Sequence, residues 1–226
     1  MIVLGLNTAF SSMEAALVRD GDVLADAREH LPRGQERRLP GLVAELCASA
    51  GMTLSDLDRI GVVTGPGSFT GLRIGVAYAR GLALVTNAAA IGITSLEAAV
   101  PQGMEGTVLA CLAAQRRPPD QTWWVQGIAE GQGIADVREV PYADLSAMLA
   151  GFHAPIFMDG AEALGDLASK LDLRPLHPSA ITAALKASVF DPAAHPPTPV
   201  YARAPDAALP AAKGSEEHTS ALQSPC

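Results

Sequence analysis

Apolar and polar positions divide the chain into short runs that predict a mixed α/β order. Ile2 to Leu6 is an apolar run, Glu14 to Val18 a second, and Asp20-Gly21 supplies a turn before Val23 to Arg28. That pattern predicts three consecutive antiparallel strands. Leu39, Leu42, Val43 and Leu46 then recur at three- and four-residue spacing, predicting a helix over Gln35 to Ala50 that Gly51 stops. Pro40 belongs only in a first turn, which places the regular start near Leu39. After a capped turn at Thr53 to Asp56, Ile60 to Thr64 reads as a buried strand, Ser68 to Thr86 as a long helix and Ala90 to Thr94 as another strand. Ser95 is placed to cap a helix ending at Ala99 or Val100.

The second half repeats the mixture with weaker signals. Strands fit Val108 to Leu112, Thr122 to Ile128, Ile134 to Val140 and Pro155 to Met158; helices fit Ala143 to Ala150, Ala161 to Lys170 and Ser179 to Val189. From Asp191 a Pro-rich run reads as an extended connector. Strands followed by alternating helices and strands, twice over, predict two related α/β lobes, residues 1–100 and 101–203, with a tail over 204–226. Within that tail, 213–226 has no periodicity and resembles the conceptual translation of a sequencing adapter, so it is set aside as non-native.

Composition narrows the function classes. The 226 residues are 49% apolar and 18% charged, which excludes a wholly disordered chain. A net charge of −8 counts against the chain being the main docking surface for nucleic acid, and 4% aromatics leaves few platforms for stacking bases. Cys47, Cys111 and Cys226 form neither a disulfide framework nor a metal spacing. The opening apolar run does not read as a signal peptide, and the longest uncharged stretch, Gly81 to Leu96, is too short and too polar for a membrane span. The expected setting is the cytoplasm, with no membrane contact.

The strongest local signal is Gly65-Pro66-Gly67-Ser68-Phe69-Thr70-Gly71-Leu72-Arg73, between a predicted strand and a predicted helix. Unpaired N–H groups there could hold an anion, with Gly65, Gly67 and Ser68 as contacts. A phosphate loop would need Lys after Gly71, where Leu72 stands. A dinucleotide fingerprint would need an acid about 20 residues on, and the first acid is Glu97. Gly71, Gly75, Ala79 and Ala83 form a small-residue stripe at four-residue spacing, which ranks close packing or an interface ahead of anion binding. The five histidines are isolated in sequence, so no metal set and no Ser/His/Asp catalytic set is nominated.

Gly65 to Gly75 resembles the signature of the TsaB (YeaZ) family of bacterial tRNA threonylcarbamoyladenosine biosynthesis proteins. Leu6-Asn7-Thr8-Ala9 resembles the family's opening Ile-Asp-Thr-Ala, and Thr94-Ser95-Leu96-Glu97 follows the strand after the long helix, as in the family. Met158-Asp159-Gly160-Ala161 resembles its Gly-Asp-Gly-Ala turn, and Pro199-Val200-Tyr201-Ala202-Arg203 its closing Pro-x-Tyr-Leu-Arg. The resemblance implies the two-lobed actin/Hsp70/sugar-kinase (ribonuclease H-like) fold, with a trimmed second lobe.

It also implies a non-catalytic subunit that pairs with a TsaD-type catalytic subunit and works with a TsaE-type ATPase. The complex would use ATP and meet tRNA, and this chain would form a homodimer when alone. The implied pairing face comprises Leu39, Leu42, Val43 and Leu46 on the first helix, and Phe69, Leu72, Arg73, Gly75, Val76, Ala79 and Arg80 on the second. Asn7 and Thr8, where ATP-using members of the fold place a metal-binding Asp and a phosphate turn, are the remaining candidate nucleotide contacts.

The chain departs from the family pattern at three places. Asn7 replaces Asp, Gly34-Gln35 stands where the family often has His, and Ala113-Ala114-Gln115 stands where it usually has Asp-Ala-Arg. Asn7 argues against a second reading, a small-molecule kinase or ATPase of the same fold, since Mg²⁺ sites use carboxylate charge. A third, a dinucleotide-dependent oxidoreductase, would rest on Gly65 to Gly71 alone.

Overall fold

The computed structural model describes residues 1–115 and 120–201, and of Gln115 the backbone only; the tail 204–226 lies outside the described residues. The first sheet holds β1 (Ile2–Asn7), β2 (Ser12–Arg19), β3 (Asp22–His30), β4 (Arg59–Gly65) and β5 (Ala89–Thr94) in the order β3-β2-β1-β4-β5. β1, β2 and β3 pair antiparallel, as the hairpin signals predict, and β4 and β5 join parallel through helical crossovers. Alternation along β1 sends Leu4 and Leu6 to one face and Val3 and Gly5 to the other. The first face is covered by α1 (Gln35–Ser49) and α2 (Phe69–Thr86).

The second sheet contains β6 (Thr107–Gln115), β7 (Thr122–Ala129), β8 (Gln132–Gly133), β9 (Arg138–Pro141), β10 (Ile156–Met158) and β11 (Leu173–Pro175), with α3 (Tyr142–Leu149) on its outer face. Two mixed sheets in two lobes, the second shorter in its strands, are the expected α/β architecture. Among the described residues, no helix is long and apolar enough to cross a membrane.

The face of the first sheet opposite α1 and α2 is covered by α4 (Ala180–Val189), contributed from the far end of the chain. Its facing residues are small (Ala180, Ala183, Ala184 and Ala187), and the strands meet it with glycines. A Cβ on Gly5 would lie 1.9 Å from the Ala180 carbonyl oxygen, and one on Gly61 2.5 Å from that of Ala183. Glycine is required at both for the helix backbone to come this close. α4 therefore belongs to the first sheet's sandwich although it follows the second sheet in the chain.

Four local expectations change. α1 begins at Gln35 and runs through Pro40. Pro40 is exposed, so the backbone hydrogen bond it forfeits falls on the solvent side, where water can replace it. Residues 161–170 form tight 3-10 turns broken at Gly165 rather than an α-helix. The predicted strand 134–140 shrinks to β9, with irregular chain between it and β8, and β11 carried no sequence signal. Ser95 caps nothing: its hydroxyl donates to the Pro66 carbonyl at 2.7 Å, tying the chain after β5 to the glycine-rich turn.

A buried cation helps to join the lobes. Lys186 of α4 is fully buried and its Nζ donates to the Gly131 carbonyl, at the turn between β7 and β8. Glu97 lies beside it and accepts from the Gly133 N–H at 2.8 Å and the Thr94 N–H at 2.8 Å. Burial pulls the Lys186 pKa down to about 8, partly opposed by the Glu97 charge. Between that value and the unfolded lysine value of about 10.4, the folded chain binds fewer protons here than the unfolded chain. Its stability therefore rises with pH in that window. Urea melts of wild type and Lys186→Met from pH 7 to 10 should show the wild type gaining about 2–3 kcal/mol relative to the variant. A difference that stays flat with pH would mean a lysine that titrates as if solvated.

Candidate functional site

The glycine-rich turn packs against the first hairpin of its own chain. A Cβ on Gly67 would lie 2.5 Å from the Ala9 carbonyl oxygen, one on Gly71 2.0 Å from that of Thr8, and one on Gly75 2.3 Å from Thr8 Oγ1. Polar groups close the same contact: the Ser68 N–H donates to the Ala9 carbonyl at 2.7 Å, and Thr8 Oγ1 donates to the Gly71 carbonyl at 2.7 Å. The glycines are thus packing devices, as their spacing ranks them. Ser68 caps α2, its hydroxyl accepting from the Gly71 N–H at 3.3 Å. Gly65, buried with φ +111°, accepts from the Ser95 N–H at 2.7 Å.

The candidate nucleotide contacts on the hairpin are engaged inside the chain. Asn7 and Thr8 are buried, at 1% and 0% exposure. Asn7 Nδ2 donates to the Pro178 carbonyl at 3.0 Å and toward Glu14 at 3.4 Å, and Asn7 Oδ1 accepts from the Ala9 N–H at 3.1 Å. Glu14 Oε2 also accepts from the Ala180 N–H at 3.2 Å. Asn7 therefore holds the entry to α4, a role that needs a donor which an ionised Asp lacks. Of the five positions, only Gly67 and Ser68 are not buried. The hairpin's carboxylate, Glu14, is engaged by Asn7, the Ala180 N–H and Arg28, so Asn7 and Thr8 offer no open metal ligand. A cavity of about 630 Å³ lies beside the turn, lined by Ala9, Ser11, Arg33, Ser68 and Gly71 among others. Gln35, where the family often has His nearby, is buried and its Nε2 donates to the carbonyls of Phe10 and Leu31 at 3.2 and 3.1 Å. Among the described residues, no three His, Cys, Asp or Glu side chains gather as a metal site.

Most of the predicted pairing stripe is internal core. Leu39, Leu42, Val43, Leu46, Leu72, Val76 and Ala79 are all at or below 5% exposure, and Gly75 is buried. They pack against the first sheet, and Leu72 against the α4 side. A helical apolar stripe marks the buried face but not what buries it; here the chain's own sheet does. Phe69, Arg73 and Arg80 are the predicted residues that reach the surface.

Their neighbours define a different face. Phe69, Arg73, Ala77, Arg80 and Leu84 follow one another at three- and four-residue spacing along the outer side of α2, and all are exposed. Leu84 and the adjacent Val85 are 83% and 79% exposed. Gly81 lies among them with open space where a Cβ would stand, so its absence of a side chain serves no packing inside this chain. α2 carries two arginines and no acid, a cationic face on an acidic protein. A groove of about 490 Å³ runs beside it, lined by Glu36, Phe69, Arg73, Ile74 and Tyr78 among others. Ala77, Gly81, Leu84 and Val85 escaped the sequence reading because their signal is exposure, which periodicity does not report.

Comparison with known proteins gives a consistent set of likenesses. A family model described as TsaD, tRNA N6-adenosine threonylcarbamoyltransferase, matches residues 29–118. The tRNA threonylcarbamoyladenosine biosynthesis protein TsaB of Escherichia coli is 38% identical over 96 residues, covering 42% of this chain and 41% of that protein. This chain therefore aligns with about two fifths of that relative's length. A Mycobacterium tuberculosis protein described as uncharacterized is 34% identical over 164 residues, covering 69% of this chain and 75% of its own length. Among solved structures, a Pseudomonas aeruginosa protein described as similar to the peptidase YeaZ matches with a TM-score of 0.67. It is 23% identical and covers 89% of this chain and 99% of its own, a likeness of fold.

Introducing a second carboxylate at position 7, against Glu14, should therefore damage the fold and create no metal site. Asn7→Asp places a charge against Glu14 and the Pro178 carbonyl, with an expected loss of about 1–3 kcal/mol at pH 7. In the folded state the introduced carboxyl would titrate above its unfolded value of about 3.9, so the loss shrinks as pH falls toward that value. Urea melts of variant and wild type at pH 7 and pH 4.5, with and without MgATP, measure it. Stabilisation of the variant by MgATP would contradict the closed hairpin.

Proposed function

The chain belongs to the TsaB/YeaZ family, whose named members are tRNA threonylcarbamoyladenosine biosynthesis proteins, and from that premise we propose that it is the non-catalytic partner of a TsaD-type subunit. In this reading the TsaD-type subunit transfers the threonylcarbamoyl group to the tRNA adenosine, a TsaE-type ATPase supplies ATP turnover, and this chain holds the catalytic subunit in its working state. The exposed outer face of α2 carries the proposal. Exposed large apolar residues at one end, small residues in the middle and two arginines make a surface that a partner helix can approach closely.

The net charge of −8 fits the same division of labour. An acidic scaffold leaves RNA binding to its partner, because phosphate contacts need clustered Lys and Arg. Self-pairing through α2 would place like charges against each other, so a homodimer forms only when an acidic partner is absent. The kinase or ATPase reading would require the first hairpin to open, against the contacts of Gly67 and Gly71. The oxidoreductase reading would require the same turn to leave its packing.

Co-purification with the TsaD-type subunit of the same organism tests the proposal. Ala77→Asp and Leu84→Asp, both on the outer face, should weaken the heterodimer about tenfold or more, equivalent to about 1.4 kcal/mol, without shifting the melting temperature. Val23→Asp, exposed on the distant β3, should bind as wild type. Wild-type affinity in both α2 variants, or no heterodimer at all, would overturn the assignment.

A further inference from the structure

The Pro-rich segment after α4 is a strap that ends on the α2 face. The Gly92 N–H donates to the His195 carbonyl at 2.9 Å and the Val200 N–H to the Thr64 carbonyl at 2.8 Å, so the strap lies across the ends of β4 and β5. It then reaches the arginines of α2. Arg80 Nη2 donates to Thr198 Oγ1 at 3.3 Å, and Arg73 Nε donates to the Tyr201 hydroxyl at 3.1 Å. The Tyr201 ring packs on Phe69 with centroids 5.2 Å apart, and the Arg73 guanidinium lies 3.8 Å over the Phe69 ring.

Arg73 is thereby fixed by the Tyr201 hydroxyl and the Phe69 ring while most of its donors stay unspent. Its Nε is taken by Tyr201, and among the described residues its Nη1 and Nη2 make no hydrogen bond or ion pair. A free arginine side chain loses rotamer freedom on binding; one already stacked and bonded has lost much of it beforehand. A planar guanidinium held in this way presents the fork that pairs with a carboxylate. No acid in the first turn of α2 competes for it, and Glu36 shares the adjoining groove without pairing to it.

We propose that Tyr201 is a positioning residue of the docking face, holding Arg73 on Phe69 so that its Nη pair receives an Asp or Glu side chain of the partner. This rests on the docking role of α2. The strap thus carries the end of the second half of the chain into the partner site, and Pro199-Val200-Tyr201 acquires a role that its sequence position alone does not suggest.

Calorimetric titration of the TsaD-type subunit into wild type, Tyr201→Phe, Arg73→Gln and the double variant tests the coupling. Tyr201→Phe keeps the ring and should weaken binding about three- to tenfold, the worth of one hydrogen bond, with an unchanged melting temperature. Arg73→Gln should weaken it further, and the double variant should bind no more weakly than Arg73→Gln. Tighter or unchanged binding by Tyr201→Phe, or losses that multiply in the double variant, would overturn the proposal while leaving docking through α2 intact. Failure of the wild type to bind would overturn the docking role itself. A partner-free readout is the Arg73 Nε–Hε resonance by NMR, expected to exchange slowly in wild type and to shift and exchange faster in Tyr201→Phe. An identical signal in both proteins would contradict the positioning role.

Discussion

The contact between the glycine-rich turn and the first hairpin fixes most of what this molecule can do. Three glycines bring α2 so close to Thr8 and Ala9 that a single Cβ would collide with backbone or side-chain oxygen at each. The space between the glycine-rich turn and Thr8-Ala9 is filled by the chain's own backbone. The same contact sets the rotation of α2. With Leu72, Val76 and Ala79 held inward, Phe69, Arg73, Ala77, Arg80 and Leu84 must face out.

A second set of close contacts brings the end of the chain back to its beginning. Asn7 holds the entry to α4 through Pro178, and Arg59 donates to the carbonyls of Ala187 and Phe190 at its end, at 2.9 and 2.8 Å. Lys186 ties the same helix to the β7–β8 turn. Helix, strap and Tyr201 then deliver residues of the chain's second half to the outer side of α2. The two lobes are joined through polar groups satisfied inside the chain.

The elements themselves were largely legible in the sequence. Alternating runs and the Asp20-Gly21 turn announced the three-stranded opening, and the three- and four-residue spacing announced α1 and α2. The glycine run was readable as packing because no Lys followed Gly71 and no acid followed at ribose distance. Which side of each helix stays exposed was not readable: Leu42 of α1 and Val76 of α2 carry the strongest periodic signal because they are core. The outer face mixes Phe, Arg, Ala and Leu and has no single-property period. Asn7 acts on Pro178, 171 positions away, a relation visible only after folding. The breaks at Gly165 and around Asp136 reflect short elements whose local signals are weaker than the tertiary contacts that shape them.

Hydrogen–deuterium exchange along the whole chain, with MgATP and separately with the TsaD-type subunit, tests the central claim most directly. A closed hairpin and a docking face on α2 predict that the subunit slows exchange across residues 69–85 while MgATP alone changes nothing. Protection of residues 7–12 and 65–71 by MgATP alone, with 69–85 unaffected by the subunit, would contradict the account.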